Sequence, residues 1–173
     1  MNAELAELLA KQEITEVLHR FCRGCDRQDW DLLRDCFHPD AHDDHAIFQG
    51  DRESLIAWLT EFLGSTFSAT MHSVTNILIS VDGDTAGSES HVHAWHRFKA
   101  ESDDAQPRDL VAGARYVDRF ECRGGRWAIV HRVVVMDWAK IETQAEGFEL
   151  GAGAVFSRTD RDDVSYSVLT SVG

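Results

Sequence analysis

The sequence is poor in positive charge: 17 Lys and Arg stand against 30 Asp and Glu in 173 residues, a formal net charge of −13. With no stretch rich in Lys or Arg, such a chain repels phosphate backbones and anionic lipid surfaces, which argues against nucleic-acid and membrane partners. No apolar run approaches the ~20 residues that a helical membrane span requires, and Met1-Asn2-Ala3-Glu4 lacks the basic and apolar regions of a signal peptide. Proline is nearly absent, with two residues, and cysteine is scarce, with four. A chain of this length buries a sizeable core without disulfides or a structural metal, so the cysteines read as reduced thiols and the protein as cytoplasmic. Gly-rich phosphate loops and a GxSxG nucleophile elbow are missing. What is left is one ordinary acidic domain of small-molecule type.

What the chain does have is two kinds of periodicity in two halves. From Ile14, apolar Val17, Leu18, Phe21, Cys22 and Cys25 recur at three- and four-residue spacing opposite Glu16, Arg20 and Arg23. That spacing predicts a helix ending near Gly24 to Asp26. Asp29 is a good N-cap for a short second helix carrying Trp30, Leu33 and Phe37 and stopping before Pro39. A third helix follows Gly50, with Leu55, Ile56, Leu59, Phe62 and Leu63 facing a core. Four strand-like segments come next, roughly 69–81, 85–100, 110–122 and 126–141, joined by short turns at Asp82-Gly83-Asp84, 102–108 and 123–126. Helices followed by an antiparallel meander argue an α+β fold with helices covering one face of a curved sheet. The domain spans 1–142. The tail, 143–173, has no clear period and is expected to be disordered or to pack on a neighbouring subunit. A bent sheet with one face uncovered predicts a homo-oligomer.

Several side chains could carry chemistry. Asp26 falls about 40° beyond Cys22 on the helical wheel, at the edge of the apolar stripe. It sits at a helix C-terminus, where the dipole disfavours a negative charge, so it is either a surface aspartate or one with a compensating donor. His72 opens the first long strand; His91 and His93 share a face of the second with Trp95, and His96 lies on the other. The segment 38–45 holds three His and three Asp, a metal-like composition. Its spacing matches no helical ligand motif, so a solvated loop with a pocket-facing His45 is expected and no metal. Cys22 and Cys25 form a CxxC that closes a helix rather than opening one and reads as core packing. Arg132 stands in an otherwise apolar strand, where it faces solvent or an interface, or meets a carboxylate or an anionic leaving group.

Three stretches together carry a resemblance. Asp26-Arg27-Gln28-Asp29-Trp30-Asp31-Leu32-Leu33-Arg34, His72-Ser73-Val74-Thr75-Asn76, and Arg132 five residues after Trp127 resemble the SnoaL-like branch of the nuclear transport factor 2-like superfamily. Scytalone dehydratase, hexachlorocyclohexane dehydrochlorinase and bile-acid 7α-dehydratase are members, and the likeness runs over about residues 5–142. It implies a cone-shaped, cystatin-like α+β fold, about three N-terminal helices on a strongly curved, mainly antiparallel sheet around an apolar pocket, with no metal or organic cofactor. It also implies an Asp26–His72 dyad that removes a proton while water or halide departs, with Arg132 stabilising the leaving group. Phe21, His45, His93, Trp95 and Tyr116 are then candidate pocket residues. Relatives form trimers or dimers.

The chain departs from these relatives at Phe21, where they carry a lysine or tyrosine, at His45, where scytalone dehydratase has a pocket tyrosine, and at Tyr116, where it has an asparagine. The expected activity is a cofactor-independent lyase, dehydratase- or dehydrohalogenase-like, on a small hydrophobic, cyclic or aromatic substrate. A steroid-isomerase-like proton shuttle, or a binding or assembly protein of the same fold, would use the same pocket.

Overall fold

A computed structural model of the chain describes residues 2–45, 47–102, 104–144, 147 and 151–169. Helix α1 runs over Ala3–Arg27, capped by the Asn2 side chain, which accepts from the Leu5 amide at 2.8 Å. It begins earlier than its apolar stripe, which packs from Ala10 onward. After Gln28, in the left-handed region at φ 49°, the Asp29 cap opens α2, Trp30–Arg34. Gly24 permits this tight corner, because a Cβ there would lie 3.0 Å from the Leu33 Cβ. Helix α3 covers Arg52–Thr66 behind an Asp51 cap.

The strands are β1 (Phe37–Asp44), β2 (Gln49–Asp51), β3 (Phe67–Asp82), β4 (Thr85–Phe98), β5 (Arg108–Arg123) and β6 (Arg126–Thr143). They form one sheet in the order β2-β1-β6-β5-β4-β3. The β3-β4-β5-β6 meander is antiparallel, whereas β1 joins β6 in parallel. This corrects the expected solvated loop at 38–45: Ala41 is buried, as is Phe37 just before the segment, and the backbone of residues 37–44 belongs to the sheet. Bulges in β3 after Thr75 and across β5–β6 at Gly113/Ala114 and Arg119/Phe120 interrupt the register and bend the strands. The helices pack on the concave side, α1 against β3 and β6 and α3 against β1 and β3. The result is the curved α+β cone, with Phe21, Phe37, Leu55, Phe120 and Ile129 in its core.

The described part of the tail does not leave the molecule. Tyr166 Oη donates to Asp29 Oδ2 at 2.7 Å, Arg161 to Asp29 Oδ1 at 3.0 Å, and Arg23 to Ser165 Oγ at 2.9 Å. Residues 158–166 clasp the α1–α2 corner of their own chain, because that corner offers the buried Asp29 carboxylate and two arginines. Among the described residues no helix is long and apolar enough to cross a membrane.

Candidate active site

The last turn of α1 presents Asp26 to strand β3. Because β3 is a sheet edge, its outward amides are free of the ladder, and the His72 N–H donates to Asp26 Oδ2 at 2.9 Å. Thr70 Oγ1 donates to Asp26 Oδ1 at 3.0 Å, and His72 Nδ1 lies 2.7 Å from the same oxygen. Thr70 and His72 share a strand face, so the period of two brings both to one carboxylate. These donors offset the unfavourable field of the helix C-terminus. In the tautomer with its proton on Nδ1, the ring donates to Asp26 and leaves Nε2 as an acceptor.

His72 lines a cavity of about 220 Å³. Its floor is Phe21, Cys25, Tyr116 and Val134; Val92, Ala94 and His96 come from β4, and Trp58, Leu59 and Phe62 from α3. Phe48, Trp58 and Phe62 stack in series with ring centroids 5.1 Å apart, stiffening the α3 wall. Ile47 and Met136, both exposed, also line it, so the mouth is apolar as well. His45 faces the cavity beside Trp58, ring centroids 5.4 Å apart.

Of the pocket residues expected from sequence, Phe21, His45 and Tyr116 lie on this cavity. His93 and Trp95 do not, which is a correction. They occupy the outer face of β4, where His93 meets Trp138 and Trp95 lies under Arg97. The alternation along β4 holds, but its inward set is Val92, Ala94 and His96. The signal for His96 is its apolar company at i−2 and i−4. Its ring is 5.0 Å from that of His72, edge to face, and burial pushes its pKa down to about 4. His96 is therefore neutral at physiological pH.

Arg132 is absent from the cavity lining among the described residues. It is fully buried behind the floor, its guanidinium 4.1 Å from the ring centroids of both Phe21 and Tyr116. Nε and Nη2 donate to the two Asp118 oxygens at 2.7 and 2.8 Å. The expected contact with a departing anion is thus replaced by a carboxylate from β5. Burial opposes the charge on Arg132, but Asp118 more than offsets this and holds the guanidinium more firmly protonated than usual. Burial pushes the Asp118 carboxyl up, against the pull of Arg132.

The cysteines are core groups. Burial raises the Cys22 and Cys36 thiols to about 12 and Cys25 well above its ordinary value, and all four thiols are free. Residues 38–45 are splayed by the strand: His38 Nε2 donates to the Glu121 carbonyl at 2.9 Å, while His42 lies against His131. No group of three or more His, Cys, Asp or Glu able to hold a metal is assembled among the described residues.

With this geometry in view, the comparisons with known proteins fall into one group. The model of the SnoaL-like domain matches residues 6–133. An uncharacterized protein of Mycobacterium tuberculosis is 30% identical over 132 residues, covering 75% of this chain and 86% of its own. The crystal structure of a hexachlorocyclohexane dehydrochlorinase superposes with a TM-score of 0.74 at 18% identity, covering 88% of this chain and 100% of that one. A putative scytalone dehydratase from Novosphingobium aromaticivorans gives 0.68 at 20% identity, covering 87% and 97%. At these identities the likeness to the solved structures is one of fold.

Proposed function

The chain belongs to the SnoaL-like domain family, and from that premise and the make-up of its pocket we propose that it is a small-molecule lyase working without a cofactor. The observation that carries the reading is the 2.7 Å contact between His72 Nδ1 and Asp26 Oδ1 on the wall of an apolar cavity. His72 Nε2 removes a proton from a carbon acid, and Asp26 fixes the tautomer and stabilises the imidazolium that forms. The similarity in fold to a dehydrochlorinase and a putative scytalone dehydratase supports elimination as the outcome. An apolar lining of this volume suits a compact cyclic or aromatic molecule and excludes water from the proton transfer.

The test is a panel of hydroxylated and halogenated ring compounds, followed by mass spectrometry and halide release, with wild type, Asp26→Asn and His72→Ala. Loss of water or halide that falls by about 10²–10⁴ in both variants supports the dyad. Rates within a few fold of wild type refute it, and a product of unchanged mass makes the reaction an isomerisation. Free thiols throughout suit a reducing, cytoplasmic setting. The outer sheet face, with exposed Met71, Val117 and Trp138, suits burial in a homo-dimer or trimer, which light scattering would test.

A further inference from the structure

The SnoaL-like domain match ends at residue 133, so segment 158–166 lies beyond it, yet this segment docks beside the candidate site. One turn of α1 carries both connections: Arg23 and Arg27, four apart, meet the tail, and Asp26 meets β3. Three features of that turn and the corner after it favour opening. Asp26 puts a negative charge at the C-terminal end of the helix dipole. Gln28 holds a left-handed φ of 49° without being glycine, and the Asp29 cap reaches the Leu32 amide only at 3.3 Å. Helix ends of this kind open locally before the rest of a fold does.

The tail supplies what the corner lacks. The Arg23 and Arg161 guanidiniums both lie over the Tyr166 ring, 4.5 and 5.5 Å from its centroid. Tyr166 Oη donates to Asp29 Oδ2 at 2.7 Å while Arg161 donates to Oδ1 at 3.0 Å, so both oxygens of the cap are held. Burial and the Asp29 carboxylate raise the Tyr166 phenol pKa, which keeps its O–H a donor. The segment is itself a folded turn: Asp163 accepts from Ser165 Oγ and from the Arg158 and Ser165 amides, bonds that hold its carboxyl well below the usual range. Ser165 Oγ in turn accepts from Arg23 Nη1 at 2.9 Å, and Asp163 Oδ1 lies 3.5 Å from Arg27 Nε. The last turn of α1 and the cap of α2 are thus gripped together. None of residues 158–166 lines the cavity.

Resting on the reading of Asp26 and His72 as a working pair, we propose that segment 158–166 is a positioning arm for Asp26, with Tyr166 as its anchor. Docked, the arm holds the last turn of α1 where Asp26 meets Thr70 and His72 on β3. Undocked, that turn frays and the carboxylate leaves the strand. Asp26 then no longer fixes the His72 ring, and the chemical step slows. The cavity wall is untouched by the arm, so substrate binding stays as it was and the loss falls on kcat rather than KM. Tyr166, Arg23 and Arg161 touch no reacting atom and act through Asp26 alone.

The His72 amide reports the contact directly, because it points out of the sheet edge and donates to Asp26 Oδ2. The experiment is amide hydrogen exchange by NMR on the full chain, with wild type, Asp26→Ala, Tyr166→Ala and Tyr166→Phe. The expected result is a protected His72 amide in wild type and an unprotected one in Asp26→Ala. Tyr166→Ala should speed exchange by at least about 10-fold at His72 and over residues 24–32, with the amides of the central strand β5 unchanged. Tyr166→Phe keeps the ring and loses the hydroxyl, so it falls between; if Tyr166→Ala does not fold, an acceleration of about 3-fold or more in Tyr166→Phe decides. On the same compound panel, Tyr166→Ala lowers kcat by about 10–10²-fold with KM within about twofold; where the panel gives no turnover, the exchange pattern decides alone. His72 exchange equal to wild type, an unchanged kcat, or an acceleration spread evenly over β5 overturns the arm. A His72 amide unprotected in wild type, or still protected in Asp26→Ala, separates Asp26 from His72 and refutes the dyad instead, so the two failures are distinct.

Discussion

His96 offers a quantitative test of the burial that shapes the pocket. Its pKa is lowered from 6.5 to about 4 by burial, so the folded chain holds this ring neutral while the unfolded chain protonates it first. Above about pH 6.5 the ring is neutral in both states and contributes nothing to pH dependence. Between about pH 6.5 and 4 the unfolded state binds more protons, so stability falls as the pH falls and levels off below the folded pKa. Each pH unit inside that window is worth about 1.4 kcal/mol, so the ring accounts for a loss of about 2–3 kcal/mol between pH 7.5 and 4.5. His96→Leu removes the titration and keeps most of the volume against Phe67 and His72. Urea unfolding of both proteins across that range is the assay. The variant should lose about 2–3 kcal/mol less than wild type on acidification. Parallel losses, equal within about 0.5 kcal/mol, would refute the assignment of a neutral buried His96.

Other consequences can be measured directly. Arg132→Met strands the buried Asp118 carboxylate and should cost about 3–5 kcal/mol in denaturant unfolding, whereas Arg132→Met combined with Asp118→Leu should recover much of it. Failure of the double variant to recover would show that packing, not charge, dominates there. Tyr166→Phe removes the 2.7 Å bond to Asp29 and should lower stability by about 1–3 kcal/mol; a Tm equal to wild type would mean the tail does not hold the corner. In the native protein a thiol reagent should modify the half-exposed Cys122 first and leave Cys22, Cys25 and Cys36 untouched until unfolding, as counted by mass spectrometry.

The elements are legible in the sequence because each buries one face against a single core. Asp29, with its side chain on the Leu32 amide, marks the start of α2 in the sequence as in the structure, and the four long strands begin and end within two residues of the bounds expected from sequence. Strand β1 is not legible, since its pattern of buried Phe37, His38, Ala41 and Asp43 is not apolar alternation. Its hydrogen-bond partner, β6, lies far along the chain, and only the fold brings it alongside. The same limit applies to β4: period two divides His93 and Trp95 from His96, but which set faces the helices depends on the side from which α1 and α3 pack.

The residue types and their elements come from the sequence: a carboxylate at the edge of the α1 stripe, a histidine on the first long strand, a lone arginine in an apolar one. Period and capping are local properties, set by side chains within one or two turns of each other. The partners of those residues are decided only in three dimensions. Asp26 meets His72 because β3 is a sheet edge with amides to spare, and Arg132 turns from the pocket to Asp118 because an unpaired buried cation is costlier than a paired one. The acidic composition argues against polyanionic partners. The bent sheet then places two of those acids, Asp26 and Asp43, beside histidines that face one cavity, an arrangement that no local pattern encodes.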